Sequence, residues 1–123
     1  MTRKRILIVD DDAEMADFMR EVLQNGPYEV IVAHDGVEAV DHSNRQRVDL
    51  ILMDLCLPVF SGFWFCRAFK EKPTTCSIPV LVVSGLTAQE DVDRALEMGA
   101  CGYLKKPFRA AELLQAVVRA LAA

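Results

Sequence analysis

Short, continuous apolar runs recur along the chain. The four clear runs cover residues 6–9, 30–33, 50–53 and 80–83, and a weaker fifth lies at residues 103–104. Their apolar residues are consecutive and often β-branched, without alternation between apolar and polar positions. Such runs are typical of strands that are buried on both faces, as in a parallel sheet covered by helices. The pattern therefore predicts buried strands at these positions.

The segments between the runs are long enough for crossover helices. Apolar residues at helical spacing predict helices over residues 15–23, 92–99 and 113–121. Residues 36–47 include polar residues that favour turns, so we expect a short or mobile helix there. The segment after Gly62 has more aromatic residues than one buried face needs, so some of them should be exposed.

Strand and helix thus alternate along the whole chain, without an internal repeat or a linker. This order predicts one doubly wound α/β domain over residues 1–123, in which ligands bind beyond the carboxyl ends of the strands. The length of 123 residues suits one domain, and a composition that is 52% hydrophobic and 26% charged supports a packed core with a charged surface.

Charge and cysteine content narrow the function. The net charge of -4 argues against a domain that binds nucleic acid directly, because that task needs a concentrated basic face. No apolar stretch approaches the roughly 20 residues that span a bilayer. We therefore expect a soluble, cytoplasmic protein without a membrane contact. The cysteines lack metal-site spacing and are predicted to be free thiols that serve as small apolar residues: Cys56, Cys66, Cys76 and Cys101.

Polar residues suited to chemistry follow the predicted strands. Asp10 and Asp11 follow the first strand and Asp54 the third, while Ser84 follows the fourth and Lys106 the fifth. If the first and third strands are neighbours, their carboxylates converge, and like charges about 4 Å apart repel by roughly 1 to 4 kcal/mol. A positively charged group must therefore offset the repulsion between these carboxylates. Lys106 supplies one positive charge, and clustered carboxylates also suit a hard divalent ion such as Mg²⁺.

These residues together suggest phosphoryl transfer. A divalent ion could bridge a phosphoryl oxygen while Asp54 attacks phosphorus as a carboxylate nucleophile and forms an aspartyl phosphate. Ser84 and Lys106 would then bind the remaining oxygens. Asp12 is predicted to be only the N-cap of the first helix.

Four segments resemble those of the response-regulator receiver domains of two-component signalling. They are residues 6–12, residues 53–58 with Gly62 beyond them, residues 83–85 and residues 99–108, which read ILIVDDD, MDLCLP, VSG and GACGYLKKPF. Their order and separations are highly specific, and the resemblance covers essentially the whole chain. It implies a flavodoxin-like (βα)5 fold, a five-stranded parallel sheet with strand order 2-1-3-4-5.

The resemblance also implies the role of each acidic residue. Asp54 would accept a phosphoryl group from a sensor histidine kinase or a histidine phosphotransfer protein. Asp11, Asp54 and the backbone carbonyl of Cys56 would bind Mg²⁺ directly, and Asp10 mostly through water. Such a domain is a signalling phosphoacceptor, not an enzyme beyond its own phosphoryl transfer and dephosphorylation.

Signal output is implied in the same way. Lys106 would grip the phosphoryl group, Ser84 would be the switch hydroxyl and Tyr103 the switch aromatic residue. The face formed by the fourth helix, fifth strand and fifth helix would then contact an output domain or a partner protein. The bond between Lys106 and Pro107 is a candidate cis peptide. Trp64 is either a half-buried residue lying over its own helix or part of a partner-binding patch with its neighbours.

Three alternatives stay open. A haloacid-dehalogenase-like phosphatase would use the Asp-x-Asp spacing of Asp10 and Asp12, although Glu14 stands where that family has threonine. A flavodoxin-like nucleotide binder would need a phosphate loop where this chain has carboxylates. A degenerate receiver would act only as an interaction module. The position of Met1 close to the first strand favours a single-domain protein or an N-terminal receiver, and the cognate kinase, pathway and output stay open.

Overall fold

The computed structural model describes residues 3–122, in which strands and helices alternate. The strands are β1 (Lys4–Val9), β2 (Tyr28–Ala33), β3 (Leu50–Met53), β4 (Val80–Ser84) and β5 (Gly102–Lys105). The helices are α1 (Ala13–Gln24), α2 (Gly36–Arg45), α3 (Gly62–Glu71), α4 (Gln89–Glu97) and α5 (Ala110–Ala122). Within residues 3–122, no helix combines the length and apolarity that a membrane span requires.

All strand pairs in the sheet are parallel, in the order β2-β1-β3-β4-β5. The predicted doubly wound fold and strand order are therefore confirmed. Helices cover both faces: Ile6 and Ile8 of β1 pack into a core with α1 and α5, whereas Leu7 and Val9 pack into a second core with α2, α3 and α4. Successive strand residues point to opposite faces, so one short apolar run serves two cores.

Burial along the sheet corrects one part of the sequence prediction. The central strands β1, β3 and β4 carry the expected buried residues, but the middle of β2 and most of β5 are only partly buried. Both are edge strands, because within residues 3–122 each pairs with a strand on one side only. The apolar sequences of β2 and β5 resemble those of central strands. Their side chains are less buried because a neighbouring strand covers them on one side only.

Helix α2 is longer than the short helix that the sequence predicted, while its mobility stays a prediction. It runs for 10 residues and is not shorter than α3 or α4. Asp35 caps its first turn by accepting a hydrogen bond from the Glu38 amide at 2.8 Å, and the Ser43 hydroxyl donates back to the Val40 carbonyl at 2.8 Å. The hydroxyl of Ser43, a residue that favours turns, thus finds its hydrogen-bond acceptor within the helix, and the helix continues past it.

The cysteines are free thiols, as predicted, but only Cys66 is buried as expected of a small apolar residue. Cys66 is fully buried in α3, and burial raises the pKa of its thiol to about 12. Cys56, Cys76 and Cys101 are exposed. These three lie in the segments that connect strands and helices, where the sequence has no periodic pattern that indicates burial.

Candidate functional site

The register of β1 and β3 brings two acidic residues together. Val9 lies beside Met53, so the residues that follow them, Asp10 and Asp54, emerge next to each other. The Asp54 amide donates to the Val9 carbonyl at 3.0 Å, which continues the ladder past the strand ends. Asp10 is fully buried and Asp54 is 6% exposed. Two carboxylates therefore share a buried position at the carboxyl edge of the sheet.

A third carboxylate completes an acidic cluster. Carboxylate oxygens of Asp10, Asp11 and Asp54 all lie within 4.8 Å of one another, and Asp11 is exposed to solvent. Carboxylate oxygens at this spacing, with one open side, are the donors that Mg²⁺ prefers while it keeps several of its waters. The convergence predicted from the strand ends is confirmed, and the donor set fits a hard divalent cation.

Lys106 is the cation that faces this cluster. Its Nζ lies 2.9 Å from Oδ2 of Asp10 and 3.6 Å from Oδ2 of Asp54. The Lys106 amide donates to the Ser84 carbonyl at 2.9 Å, and the peptide bond to Pro107 is cis, as expected. The neighbouring Lys105 is exposed. Only the second of the two adjacent lysines therefore reaches the acidic cluster.

The site perturbs the ionisation of its own groups. Burial raises the pKa of Asp54; the Lys106 charge opposes that rise, and the Asp10 and Asp11 charges reinforce it. Burial alone would lower the pKa of Lys106, but the hydrogen bond to Asp10 and the charge of Asp54 outweigh it and raise that pKa. The lysine therefore stays charged, while the surroundings of Asp54 favour its protonated form more than water does.

Replacing Asp54 with asparagine should raise the free energy of unfolding of the metal-free protein at pH 7, by roughly 1 kcal/mol. Because the folded-state pKa is raised, Asp54 contributes full stability below its ordinary pKa of 3.8 and loses it as pH rises through the folded pKa. Urea unfolding with a chelator checks this. The two proteins should converge near pH 3, and equal stability at pH 7 would contradict the expectation.

Ser84 and Tyr103 are linked through one loop. Ser84 is fully buried, and its hydroxyl accepts a hydrogen bond from the Leu86 amide at 3.2 Å. The Tyr103 hydroxyl donates to the Leu86 carbonyl at 2.5 Å, and burial raises the pKa of that phenol. The two predicted switch residues therefore both form hydrogen bonds with Leu86, which lies between β4 and α4. Their switching role stays a prediction.

The loop after Asp54 contributes the last predicted residue. The Cys56 amide donates to Oδ1 of Asp54 at 3.3 Å, and burial together with the Asp54 charge raises the pKa of the Cys56 thiol. The residue as a whole is exposed, so the thiol is only partly buried. The contact fixes one carboxylate oxygen of Asp54, and metal binding by the Cys56 carbonyl stays a prediction.

Gly62 has a structural role that its place in the motif did not explain. A Cβ atom at this position would lie 2.1 Å from the carbonyl oxygen of Asp54, and the Gly62 amide donates to the Leu55 carbonyl at 2.9 Å. Only a residue without a side chain lets α3 begin this close to the acidic site. A glycine at the start of a helix, eight residues beyond a candidate nucleophile, is the signal that could have revealed it.

Comparison with known proteins agrees with this geometry. Residues 6–118 match the response regulator receiver domain family. The DNA-binding response regulator MtrA of Mycobacterium tuberculosis is 36% identical over 115 residues, which are 94% of this chain and 49% of that protein. The dual master transcriptional regulator RpaA of Synechocystis is 38% identical over 117 residues, 95% of this chain and 48% of that protein. The chain thus spans about half the length of these curated relatives.

Solved structures show the same relationship. The chemotaxis protein CheY4 of Vibrio cholerae superposes with a TM-score of 0.93 at 32% sequence identity, over 98% of this chain and 100% of that one. None of these relatives supports the dehalogenase-like phosphatase as an alternative. With the family matched from β1 into α5 and the acidic cluster at the expected edge, the chain belongs to the response regulator receiver domains of two-component signalling.

Proposed function

We propose that this receiver accepts a phosphoryl group on Asp54 from a sensor histidine kinase or a histidine phosphotransfer protein. The observation that carries the proposal is the arrangement of charges: the Lys106 ammonium contacts both buried carboxylates while Asp11 lies at the open side. Asp54 is fixed at one oxygen by the Cys56 amide. A buried carboxylate held this way beside a cation is suited to nucleophilic attack.

The transfer itself needs few steps. A carboxylate oxygen of Asp54 attacks phosphorus, an O–P bond forms, and the N–P bond of the phosphohistidine breaks with its electrons going to the imidazole. The product is an acyl phosphate on Asp54. Lys106 stays protonated and offsets the charge on the phosphoryl oxygens, while the Ser84 hydroxyl can donate to another of them. Hydrolysis returns the carboxylate and inorganic phosphate, so we propose no other enzymatic activity.

We propose Mg²⁺ as the cofactor. Asp10, Asp11, Asp54 and the Cys56 carbonyl would hold it, and the cluster of carboxylate oxygens within 4.8 Å supports that assignment. Bound there, Mg²⁺ would supply positive charge to phosphoryl oxygens. The residues of the chain provide the remaining interactions.

The proposed signal passes through the loop between β4 and α4. A phosphoryl oxygen at Asp54 would attract the Ser84 hydroxyl, whose present partner is the Leu86 amide. Because the Tyr103 hydroxyl bonds the Leu86 carbonyl, a shift of this loop would also move Tyr103. An output domain or partner that prefers one arrangement would then bind the face formed by α4, β5 and α5.

The extent and setting of the domain are part of the proposal. We propose that residues 1–123 form one receiver domain, supported by a family match over residues 6–118. MtrA and RpaA are DNA-binding regulators, whereas we assign no nucleic-acid contact to this domain itself. The cytoplasmic location expected from the sequence stays a prediction.

Phosphorylation by acetyl phosphate in the presence of Mg²⁺ tests the proposal, with the modified residue located by peptide mass spectrometry. Label is expected on Asp54, and Asp54→Asn should abolish it. Asp12→Asn is the matched control, because this exposed N-cap keeps a capping oxygen. Label that persists in Asp54→Asn and vanishes only in Asp10→Asn would support a phosphatase-like nucleophile and defeat the proposal.

A further inference from the structure

Four large apolar side chains are exposed on helices α2 and α3 and on the loop that leads into α3. They are Val37 on α2, Val59 and Phe60 in the loop between β3 and α3, and Trp64 on α3. The rings of Phe60 and Trp64 stack with their centroids 5.0 Å apart. Single exposed apolar residues are ordinary, but adjoining ones mark an interaction surface. We call this surface the α2–α3 face.

A groove opens within the α2–α3 face. Its volume is about 360 Å³. Five of the side chains that line it are apolar, namely Val37, Val40, Phe60, Trp64 and Phe65, and two are polar, namely Asp41 and Asn44. A Cβ atom on Gly36 would lie 1.9 Å from the Phe65 ring, so α2 and α3 pack tightly at that point. The groove therefore has a fixed floor and can receive an apolar side chain.

Val59 precedes Phe60, which lines the groove, in the loop between β3 and α3. Its φ of 69° lies in the left-handed region, which is unfavourable for a β-branched residue, and its side chain is 93% exposed. Glycine would suit this backbone better. A strained residue that leaves an apolar side chain in water does nothing for the stability of the monomer, and such outliers point to function.

The charges on the two helices are complementary. The exposed Asp41 of α2 lines the groove, whereas the exposed Arg67 lies one turn beyond Trp64 on α3. Asp41 and Arg67 already contact charged residues of their own helices, at 3.2 and 3.5 Å. Exposed pairs of this kind contribute little and exchange readily. A recess, a projection and both charge signs on one patch are what a two-fold interface requires.

We propose that the α2–α3 face binds a second copy of this chain about a two-fold axis. Val59 of each copy enters the groove of the other, Trp64 is covered, and Arg67 faces Asp41 across the interface. Because few exposed apolar side chains would be covered, we expect a weak dimer with a dissociation constant on the order of 100 µM. The proposal is independent of phosphorylation at Asp54.

Sedimentation equilibrium between roughly 10 µM and 1 mM tests for the dimer. The chain has one tryptophan, so fluorescence reports on Trp64 alone. Its emission should move to shorter wavelength over the same concentration range in which the dimer forms. A chain that stays monomeric, or a dimer that leaves the emission of Trp64 unchanged, would overturn the proposal.

Val59→Gly separates the interface from folding. It removes the projection, so the dissociation constant should rise about tenfold or more. It also relieves the strained backbone, so the melting temperature of the dilute monomer should rise. Val118→Ala, at an exposed apolar position on α5, is the matched control and should leave the dimer unchanged. A Val59→Gly dimer as tight as the wild-type one would refute the inference.

Charge exchange tests the two-fold arrangement. Arg67→Glu places like charges at both contacts of its homodimer, and Asp41→Arg does the same with the opposite sign. Each variant alone should dimerise more weakly than the wild type. An equimolar mixture should recover the affinity, because every contact in the mixed dimer then pairs opposite charges. A mixture no tighter than the separate variants would rule this arrangement out.

Discussion

Replacing Lys106 with methionine is expected to lower the free energy of unfolding by about 3 to 5 kcal/mol in the absence of divalent cations. The Lys106 ammonium is the charged partner of Asp10, which is fully buried, at a distance of 2.9 Å. Without it, Asp10 and Asp54 face each other with no compensating charge. Methionine keeps much of the volume, so the loss measures charge rather than packing. Urea unfolding with a chelator present measures it.

The same substitution should slow phosphorylation of Asp54 by about 100-fold or more, because one preorganised group that offsets charge is lost. Lys105→Met is the matched control, since Lys105 is exposed and adjacent in sequence. It should change stability by less than about 0.5 kcal/mol. If Lys106→Met and Lys105→Met were equally stable and equally reactive, Lys106 would not have the role assigned to it.

Gly62→Ala is expected to destabilise the fold by about 3 kcal/mol or more. The added methyl would lie 2.1 Å from the Asp54 carbonyl oxygen and 2.7 Å from Cα of Leu55, and both are backbone atoms that cannot rotate away. Either α3 or the end of β3 must move. Because β3 carries Asp54, thermal unfolding should show lost stability and acetyl phosphate labelling should show lost reactivity.

Gly85→Ala is the control for the Gly62 substitution. An added Cβ at Gly85 meets no atom of the described residues within 4 Å, so stability should stay the same or rise by up to about 1 kcal/mol. A Gly62→Ala protein as stable as Gly85→Ala would mean that α3 does not begin against the backbone of Asp54.

Much of the site could be predicted because its residues occupy one kind of position. Asp10, Asp54 and Ser84 each stand at the end of a continuous apolar run, and in a parallel sheet such ends meet at one edge. The sequence could not provide distances. That Lys106 bonds Asp10 more closely than Asp54 depends on the register of β4 and β5, which is set by contacts across the chain.

Other features lay beyond the sequence pattern for physical reasons. The apolar run of β2 resembles that of a central strand, and only the absence of a neighbour on one side makes it an edge. The polar end of α2 stays helical, and there the Ser43 hydroxyl donates a hydrogen bond to the Val40 carbonyl within the helix. The positive φ of Val59 is imposed by the loop between β3 and α3, and it could not be predicted because valine disfavours this conformation.

Binding of Mg²⁺, measured by isothermal titration calorimetry on the wild type, Asp11→Asn and Asp12→Asn, tests the central claim most directly. Asp11 belongs to the cluster of carboxylate oxygens within 4.8 Å, whereas Asp12 caps α1. We predict that the wild type and Asp12→Asn bind Mg²⁺ equally, and that Asp11→Asn binds it at least about tenfold more weakly. Equal affinities for the wild type and Asp11→Asn would contradict a metal-assisted phosphoacceptor site at this edge of the sheet.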